Sequence, residues 1–169
     1  MIKPIRLAPI LFAILFACSA EVEQQAKSEI EVLNACSGEV AHFPQKWQLT
    51  RMRGSMVSSE TTGADMQWQE SILLNSDNTF IKTRKLNGET IESSGTYTVT
   101  TNEMDKSVKL TLLYQWDTRL VGNCFGEPLK EAYVLDSTCK LRGTWAMCDG
   151  PGLEYEMKSE TRSSDPAGS

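Results

Sequence analysis

Cysteine is the residue type in this chain whose number and spacing most clearly indicate chemistry. The sequence has five cysteines, a single histidine (His42) and no Cys-x-x-Cys pair. A zinc site usually combines such ligands at short spacing, so the pattern favours disulfides over a metal. Four cysteines lie beyond the first eighteen residues, at Cys36, Cys124, Cys139 and Cys148. An even number predicts two disulfides in an oxidising compartment, with three connectivities allowed.

The fifth cysteine, Cys18, follows a segment with the features of a secretory signal. Two cations precede an apolar run at residues 7–17. This run is about 11 residues long, too short for the roughly 20 that a membrane-spanning helix needs. Its ending, Leu15-Phe16-Ala17-Cys18, resembles the lipobox of bacterial lipoproteins, in which the cysteine is lipidated and becomes the mature N-terminus. The alternative is an ordinary signal that is cleaved after Ala17 or Ala20.

The lipoprotein resemblance implies a location and a means of attachment. The acyl chains of such a protein hold it on a membrane, because each buried methylene contributes about 0.8 kcal/mol. Ser19 follows the cysteine where an aspartate would imply inner-membrane retention. The resemblance therefore implies an outer-membrane lipoprotein of the cell envelope that faces the periplasm.

Composition and charge narrow the function classes. The chain has 169 residues and a formal net charge of −5. Loss of the two signal cations would make the remaining chain more acidic. Its length suits one domain. An acidic surface argues against nucleic acid as a partner, since phosphate binding needs basic side chains.

The sequence gives little support to an enzyme. Any serine or cysteine catalytic arrangement would have to use His42, which precedes the predicted strands. We find neither a phosphate-binding glycine-rich loop nor a dinucleotide fingerprint. We therefore predict a non-enzymatic protein with no cofactor and no metal site.

Alternation of apolar and polar residues predicts eight short strands. Asn87-Gly88 is the strongest hairpin signal, because a type I′ turn needs two residues with positive φ. The predicted strands are residues 47–56, 66–74, 79–86, 90–100, 108–116, 130–135, 139–147 and 153–158. Regularly spaced strands of this kind predict an all-β, antiparallel meander that closes as a barrel.

The meander also predicts the disulfides. Counting strand directions puts Cys36 and Cys139 at one end of the barrel, and Cys124 and Cys148 at the other. Because bridged Cα atoms lie within about 7 Å, we predict Cys36–Cys139 and Cys124–Cys148. The rival is Cys139–Cys148 across a Gly143-Thr144 hairpin. We rank it lower because residues 139–147 alternate as one continuous strand.

Polar segments flank the predicted barrel. Residues 1–17 are the predicted signal, residues 18–46 the lipidated N-terminus and tether, residues 47–158 the barrel, and residues 159–169 a disordered tail. Within the tether, Val22, Ala26, Ile30 and Leu33 recur at helical spacing. We predict a short helix there that either packs on the domain or serves as a mobile tether.

Three charged residues share parity with predicted core residues. Glu70 lies two positions from Trp68, and Arg51 and Arg53 lie four and six positions from Trp47, so each would share a strand face with that tryptophan. If these faces point inward, a ligand cavity could use an arginine to bind a carboxylate. The predicted cavity residues are Trp47, Arg51, Trp68, Glu70 and Trp145. The alternative is that the strand twists or bulges and leaves the charges at the rim.

The order of several weak motifs resembles the lipocalin-like domains of bacterial lipoproteins. These motifs are Trp47-x-Leu49, Ile72-Leu73-Leu74 running into Asp77-Asn78-Thr79-Phe80, Gly95-Thr96-Tyr97, and Leu110-x-Leu112. The resemblance covers residues 47–158, although the glycine of the lipocalin Gly-x-Trp motif is replaced by Gln45. It implies a fold more than an activity.

Two functions remain open at this point. The first is a membrane-anchored barrel that binds a small apolar or amphipathic ligand. The second is a non-enzymatic interaction module, such as a hydrolase inhibitor or an accessory of an envelope complex. An eight-stranded barrel is wide enough either to be filled by side chains or to hold one small ligand, so the interior decides between them.

Overall fold

The computed structural model describes residues 43–158, except residues 55, 57, 58, 106, 125 and 127. The predicted signal, Cys18, Cys36, the tether up to residue 42 and the tail lie outside the described residues. The described chain is all-β. Its strands are β1 (Gln45–Arg53), β2 (Glu60–Thr62), β3 (Gln69–Leu74), β4 (Thr79–Leu86), β5 (Glu89–Thr101), β6 (Val108–Tyr114), β7 (Lys130–Leu135), β8 (Lys140–Gly143) and β9 (Gly152–Lys158).

Eight of these strands form a closed antiparallel barrel, as predicted. From β3 to β9 each strand pairs with its neighbour along the chain, and β9 returns to pair with β1. The first half of β1 pairs with β3 and its second half pairs with β2, the additional strand. Closure gives every barrel strand two partners along at least part of its length.

The predicted hairpin between β4 and β5 is confirmed. Asn87 has φ 51° and Gly88 has φ 81°, which is the double positive φ of a type I′ turn. The register across the turn runs from Leu86 opposite Glu89 to Thr79 opposite Thr96. This long ladder fixes the side chains of β4 that point into the barrel.

Four strand predictions are wrong in their bounds. The predicted strand 66–74 begins only at Gln69, and the predicted strand 108–116 ends at Tyr114. Residues 139–147 do not form one strand, because β8 ends at Gly143 and a 3-10 helix follows at Thr144–Cys148. The predicted strand 47–56 ends at Arg53, and its register against β9 shifts between Leu49 and Arg51. The extra residue of this bulge reverses the inward and outward alternation beyond it.

The two ends of the barrel differ. We call the end at which β1 finishes the mouth, because the long β6–β7 loop (residues 115–129) and the 3-10 helix lie there. The Cys124–Cys148 disulfide joins these two segments, with Cα atoms 5.4 Å apart, as predicted. It excludes the rival Cys139–Cys148 pairing. Cys139 is also disulfide-bonded, and its predicted partner Cys36 lies outside the described residues.

A glycine on β5 allows close packing inside the wall. Gly95 lies opposite both Phe80 and Tyr114 in the sheet. A Cβ atom there would lie 2.0 Å from the carbonyl oxygen of Leu113 and 2.9 Å from the Phe80 ring. Only glycine fits this position without movement of the backbone.

We expect Gly95→Ala to lower the free energy of unfolding by about 3 kcal/mol, because the added methyl overlaps a backbone carbonyl. Urea unfolding measures this change. Gly143→Ala is the matched control, since its Cβ would meet Leu153 at an ordinary 3.6 Å. Equal stability of the two variants would contradict the packing described for β5.

Candidate functional site

The centre of the barrel holds a buried lysine between two carboxylates. The Lys82 ammonium, on β4, lies 3.0 Å from Oε1 of Glu70 on β3 and 2.8 Å from Oε2 of Glu131 on β7. It also donates hydrogen bonds to the Tyr133 hydroxyl at 3.0 Å and to the Leu120 carbonyl at 3.2 Å. Lys82 has no exposed surface. An ammonium in this position is stabilised only because every side of it faces an acceptor.

A second cation completes the cluster. Arg84 lies opposite Glu70 in the β3–β4 ladder, and its Nε donates to Oε2 of Glu70. The Arg84 guanidinium also lies 4.4 Å from the ring centroid of Trp68, close enough for a cation–π contact. Two carboxylates and two cations therefore give this buried cluster no formal net charge.

Tyrosine hydroxyls donate a second hydrogen bond to the two carboxylate oxygens that contact Lys82. Tyr114 donates to Oε2 of Glu131 at 2.5 Å, and Tyr155 donates to Oε1 of Glu70. Burial raises the pKa of both phenols, and the neighbouring carboxylates add to this effect. Both phenols therefore keep their protons at neutral pH and act as donors.

The cluster keeps Glu70 ionised despite its burial. Burial by itself would raise the pKa of the Glu70 carboxyl. The charges of Lys82 and Arg84, with hydrogen bonds from Tyr155 and Arg84, overcome that effect and hold the pKa below its ordinary value of 4.5. The folded protein therefore favours the charged form of Glu70 more than the unfolded chain does.

The β6–β7 loop covers this cluster. Leu120 is fully buried, and its carbonyl accepts hydrogen bonds from Lys82 and, at 3.4 Å, from Nη2 of Arg84. The carbonyl of Arg119 accepts a further bond from Nη1 of Arg84 at 3.3 Å. The backbone N–H of Gly122 donates to Oε1 of Glu131 at 3.3 Å. The loop backbone thus accepts hydrogen bonds from the two cations of the cluster and donates one to the Glu131 carboxylate.

A tryptophan and the disulfide fix the same loop from outside. Trp145 packs so closely on Gly122 and Gly150 that a Cβ at either glycine would lie within 2.5 Å of its ring. Cys148, three residues later, bonds to Cys124 of the loop. Both contacts with the loop are made by side chains of the 3-10 helix that follows Gly143.

The outer wall beside the mouth has a separate ionic cluster. Glu154 on β9 contacts Lys140 at 2.9 Å, Arg142 at 3.4 Å and Arg51 at 3.5 Å. Arg51 also contacts Glu60 of β2 at 3.2 Å. Burial by itself would raise the pKa of Glu154, but the hydrogen bond from Lys140 and the charges of the three cations outweigh it and lower the pKa.

A groove of about 460 Å³ lies next to this cluster, and we call it the rim groove. It separates the start of the β1–β2 connection from the 3-10 helix. Its lining residues are Arg51, Arg53, Gly54, Arg142, Gly143, Ala146, Asp149, Gly150, Gly152, Leu153 and Glu154. Met56 and Met147, which follow lining residues along the chain, are 79% and 74% exposed.

The structure brings together some of the predicted cavity residues and separates the others. Glu70 points inward, as predicted, and Arg84 links it to Trp68. Trp47 is fully buried in the core. Trp145 lies over the mouth loop. Arg51 and Arg53 lie on the outer wall beside the mouth, because the bulge before Arg51 reverses the alternation. This is the alternative in which a strand bulge leaves these charges at the rim.

Sequence reasoning missed Lys82, Arg84 and Glu131, which form most of the buried cluster. Their signal was present in β4, where Lys82 and Arg84 share parity with Phe80. Two cations on the inward face of a strand beside the one carrying Glu70 indicate a buried ion-pair network. Glu131 shares parity with Tyr133 in the same way.

Comparison with known proteins gives no relative for this chain. No family model, no curated protein and no solved structure matches it. Among the described residues, none of the helices is long and apolar enough to cross a membrane. The same part of the chain contains no group of three or more His, Cys, Asp or Glu side chains arranged to hold a metal ion.

We expect Lys82→Met to lower the free energy of unfolding by about 3 to 5 kcal/mol, because it leaves buried carboxylates without their shared cation. Chemical denaturation gives the value. Lys109→Met, at an exposed position of β6, should change it by no more than about 0.5 kcal/mol. Adding Glu131→Gln to Lys82→Met should restore part of the loss. A Lys82→Met protein as stable as Lys109→Met would contradict the network.

The lowered pKa of Glu70 predicts acid sensitivity. Its contribution to stability is complete above the ordinary pKa of 4.5 and is lost as pH falls through the lower pKa of the folded state. The free energy of unfolding should therefore fall below about pH 4.5, which urea titrations between about pH 7 and pH 3 would measure. Glu70→Gln should reduce the slope over that range. Identical slopes for the two proteins would rule out this contribution.

Proposed function

We propose that this chain is an exported, lipid-anchored protein of the bacterial cell envelope, and that its barrel is a non-enzymatic module that binds a protein partner through the mouth rim. The proposed attachment is through Cys18 to the outer membrane, with the barrel in the periplasm. The mouth rim consists of the rim groove with Met56 and Met147. The barrel interior, by contrast, serves to hold the rim in place.

Export is supported by cysteine chemistry. The Cys124–Cys148 disulfide is typical of oxidising compartments and rare in the cytosol. Residues 1–17 have the composition of a secretory signal, and Cys18 has the local context of a lipidation site. These are independent features of the chain that favour the same compartment.

The complete burial of interior side chains supports an interaction module over a ligand carrier. A cavity large enough for a small molecule would leave accessible surface on its walls, and ligand pockets typically measure about 300 to 1,000 Å³. Ten inward-facing side chains, drawn from seven of the eight barrel strands, retain none. They are Trp47, Ile72, Leu74, Phe80, Lys82, Leu110, Leu112, Tyr133, Leu141 and Tyr155.

The mouth rim has the composition of a protein-binding surface. Methionine and arginine are enriched in protein interfaces, and the rim combines two exposed methionines with three arginines. The disulfide and the Trp145 packing hold the 3-10 helix, whose Met147 belongs to the rim, against the β6–β7 loop. A pre-organised surface binds more tightly, because less conformational entropy is lost on association.

Mass spectrometry tests the competing function, a carrier of a small ligand. Native mass spectrometry of the protein purified from the envelope, followed by solvent extraction, should show no reproducible small molecule beyond the covalent lipid. A constant extra mass that solvent extraction removes would favour the carrier and contradict our proposal.

The interaction surface is tested by substitution at its exposed apolar residues. We expect Met56→Asp and Met147→Asp each to reduce cross-linking to the envelope partner about tenfold, as loss of a contact worth about 1.4 kcal/mol would. Quantitative mass spectrometry after cross-linking in cells measures this. Met104→Asp is the matched control, because Met104 is 92% exposed and lies in the β5–β6 connection, away from the mouth. Equal losses in all three variants would contradict the assignment to the rim.

A further inference from the structure

The outer wall of the barrel carries a polar groove that shares no lining residue with the rim groove. It lies across β1, β3 and β4 and has a volume of about 310 Å³. We call it the wall groove. Its outward side chains are Lys46, Gln48, Gln69, Ser71, Thr83 and Lys85.

The pairing of the strands fixes the floor of the wall groove. Gln48 lies opposite Ser71, and Ser71 lies opposite Thr83, so one amide and two hydroxyls form a row across three strands. All three side chains are half-buried. Along this row each strand is paired on both sides, so no free strand edge is open to the backbone of a peptide. A ligand must therefore be recognised by side chains.

Two lysines lie at opposite corners of the wall groove. Lys46 lies opposite Leu73, and Lys85 lies opposite Gln69, four residues away along β3. Two strand spacings separate them sideways, so their Cα atoms are about 16 Å apart at about 3.3 Å per residue and about 4.8 Å per strand. Both lysines are exposed, and neither makes an ion pair within the described part of the chain.

Repulsion between cations at one corner favours the binding of an anion. Lys46 also lies opposite Lys158 of β9. Like charges that face each other across a strand pair destabilise the sheet. No described carboxylate pairs with Lys158 either. An anionic group bound between these ammonium groups would relieve the repulsion.

The neighbouring carboxylates are engaged elsewhere. Glu70 borders the groove with its main chain, and its carboxylate is buried in the ionic cluster. On the flanking strands, Glu156 contacts Lys140 at 3.1 Å, and Glu92 accepts a hydrogen bond from the Thr83 hydroxyl at 3.3 Å. In a chain with a formal net charge of −5, the wall groove is thus a locally positive surface that attracts anions.

The uncharged side chains of the groove favour a ligand that also carries hydroxyls. Gln48 Nε2 donates to a main-chain carbonyl of β3 at 2.9 Å, and Gln69 Nε2 donates to the Gly63 carbonyl at 2.6 Å. These bonds orient both amides and leave their oxygens as acceptors. The Ser71 and Thr83 hydroxyls can both donate and accept. Sugar hydroxyls match both kinds of group, whereas a ligand with anionic groups alone would meet the amide oxygens unfavourably.

We propose that the wall groove binds an acidic oligosaccharide. Lys46 and Lys85 bind its anionic groups, and the row of amide and hydroxyl side chains between them hydrogen-bonds to its sugar hydroxyls. This goes beyond the proposed function, because the site is separate from the mouth rim and requires neither the lipid anchor nor a protein partner.

Calorimetric titration with tetragalacturonic acid, which carries one carboxylate on every ring, tests this site. The protein is the exported chain with Cys18→Ser, which can be purified without detergent. We expect saturable binding that Lys46→Gln and Lys85→Gln each weaken about threefold and the double variant about tenfold, as exposed ion pairs would. Lys109→Gln is the matched control, because Lys109 is an exposed lysine of β6 outside the groove, and it should leave the affinity unchanged.

Two further ligands separate the acidic sugar from its alternatives. Maltotetraose, which is neutral, and tetraglutamate, which carries its carboxylates on a peptide, should each bind about tenfold more weakly. Ser71→Ala should weaken binding of tetragalacturonic acid and not that of tetraglutamate. Equal binding of tetraglutamate would assign the groove to acidic peptides and overturn the proposal.

Three other results would also contradict the acidic-sugar site. They are equal binding of maltotetraose, no binding of tetragalacturonic acid at millimolar concentration, and a loss in Lys109→Gln as large as in Lys46→Gln. Circular dichroism of each variant shows that a loss of binding does not come from unfolding.

Discussion

Lys82 is a positive charge in the middle of a barrel, and its pairing with Glu70 and Glu131 is the interaction on which the site depends. Moving an ammonium out of water costs several kcal/mol, so it is tolerated only with acceptors on all sides. Here the acceptors come from β3, β7 and the β6–β7 loop. One side chain on β4 therefore requires the correct position of three other segments, which links the wall of the barrel to the loop that covers it.

The features of the mouth follow from this requirement. Because Lys82 and Arg84 each donate to the Leu120 carbonyl, the β6–β7 loop must fold inward instead of extending into solvent. The backbone of Gly122 then reaches Glu131, and Trp145 packs on the outside of the same glycine. The disulfide secures a position that hydrogen bonds and packing already favour. These contacts place the loop and the 3-10 helix together above a core of buried side chains.

Much of the framework could be predicted from local patterns. The bounds of β4 and β7 agree with the sequence prediction, since alternation is clear and turn residues flank both strands. Closure of the barrel and the Cys124–Cys148 disulfide followed from counting strand directions.

The inward direction of Glu70 followed from its parity with Trp68 alone. Parity alone would also place Arg51 inward, but one bulge residue after Leu49 reverses the parity. The sequence left this alternative open because a bulge has no clear local signal. Trp145 was misassigned to a strand because the packing that turns it aside involves Gly122, more than twenty residues away.

The sequence by itself determined the all-β class, the order of the strands, the pairing of Cys124 with Cys148 and the inward direction of Glu70. These depend on the alternation of side chains along a strand, on the residues of the turns and on the direction of each strand. All three can be derived from neighbouring residues or by counting strands along the chain. Only the tertiary structure decided which inward side chains lose all contact with solvent, that Lys82 lies between two carboxylates and that Arg51 lies outside. Such facts depend on which residues from distant strands share one level of the barrel, and that is set by the register and bulges of the closed sheet.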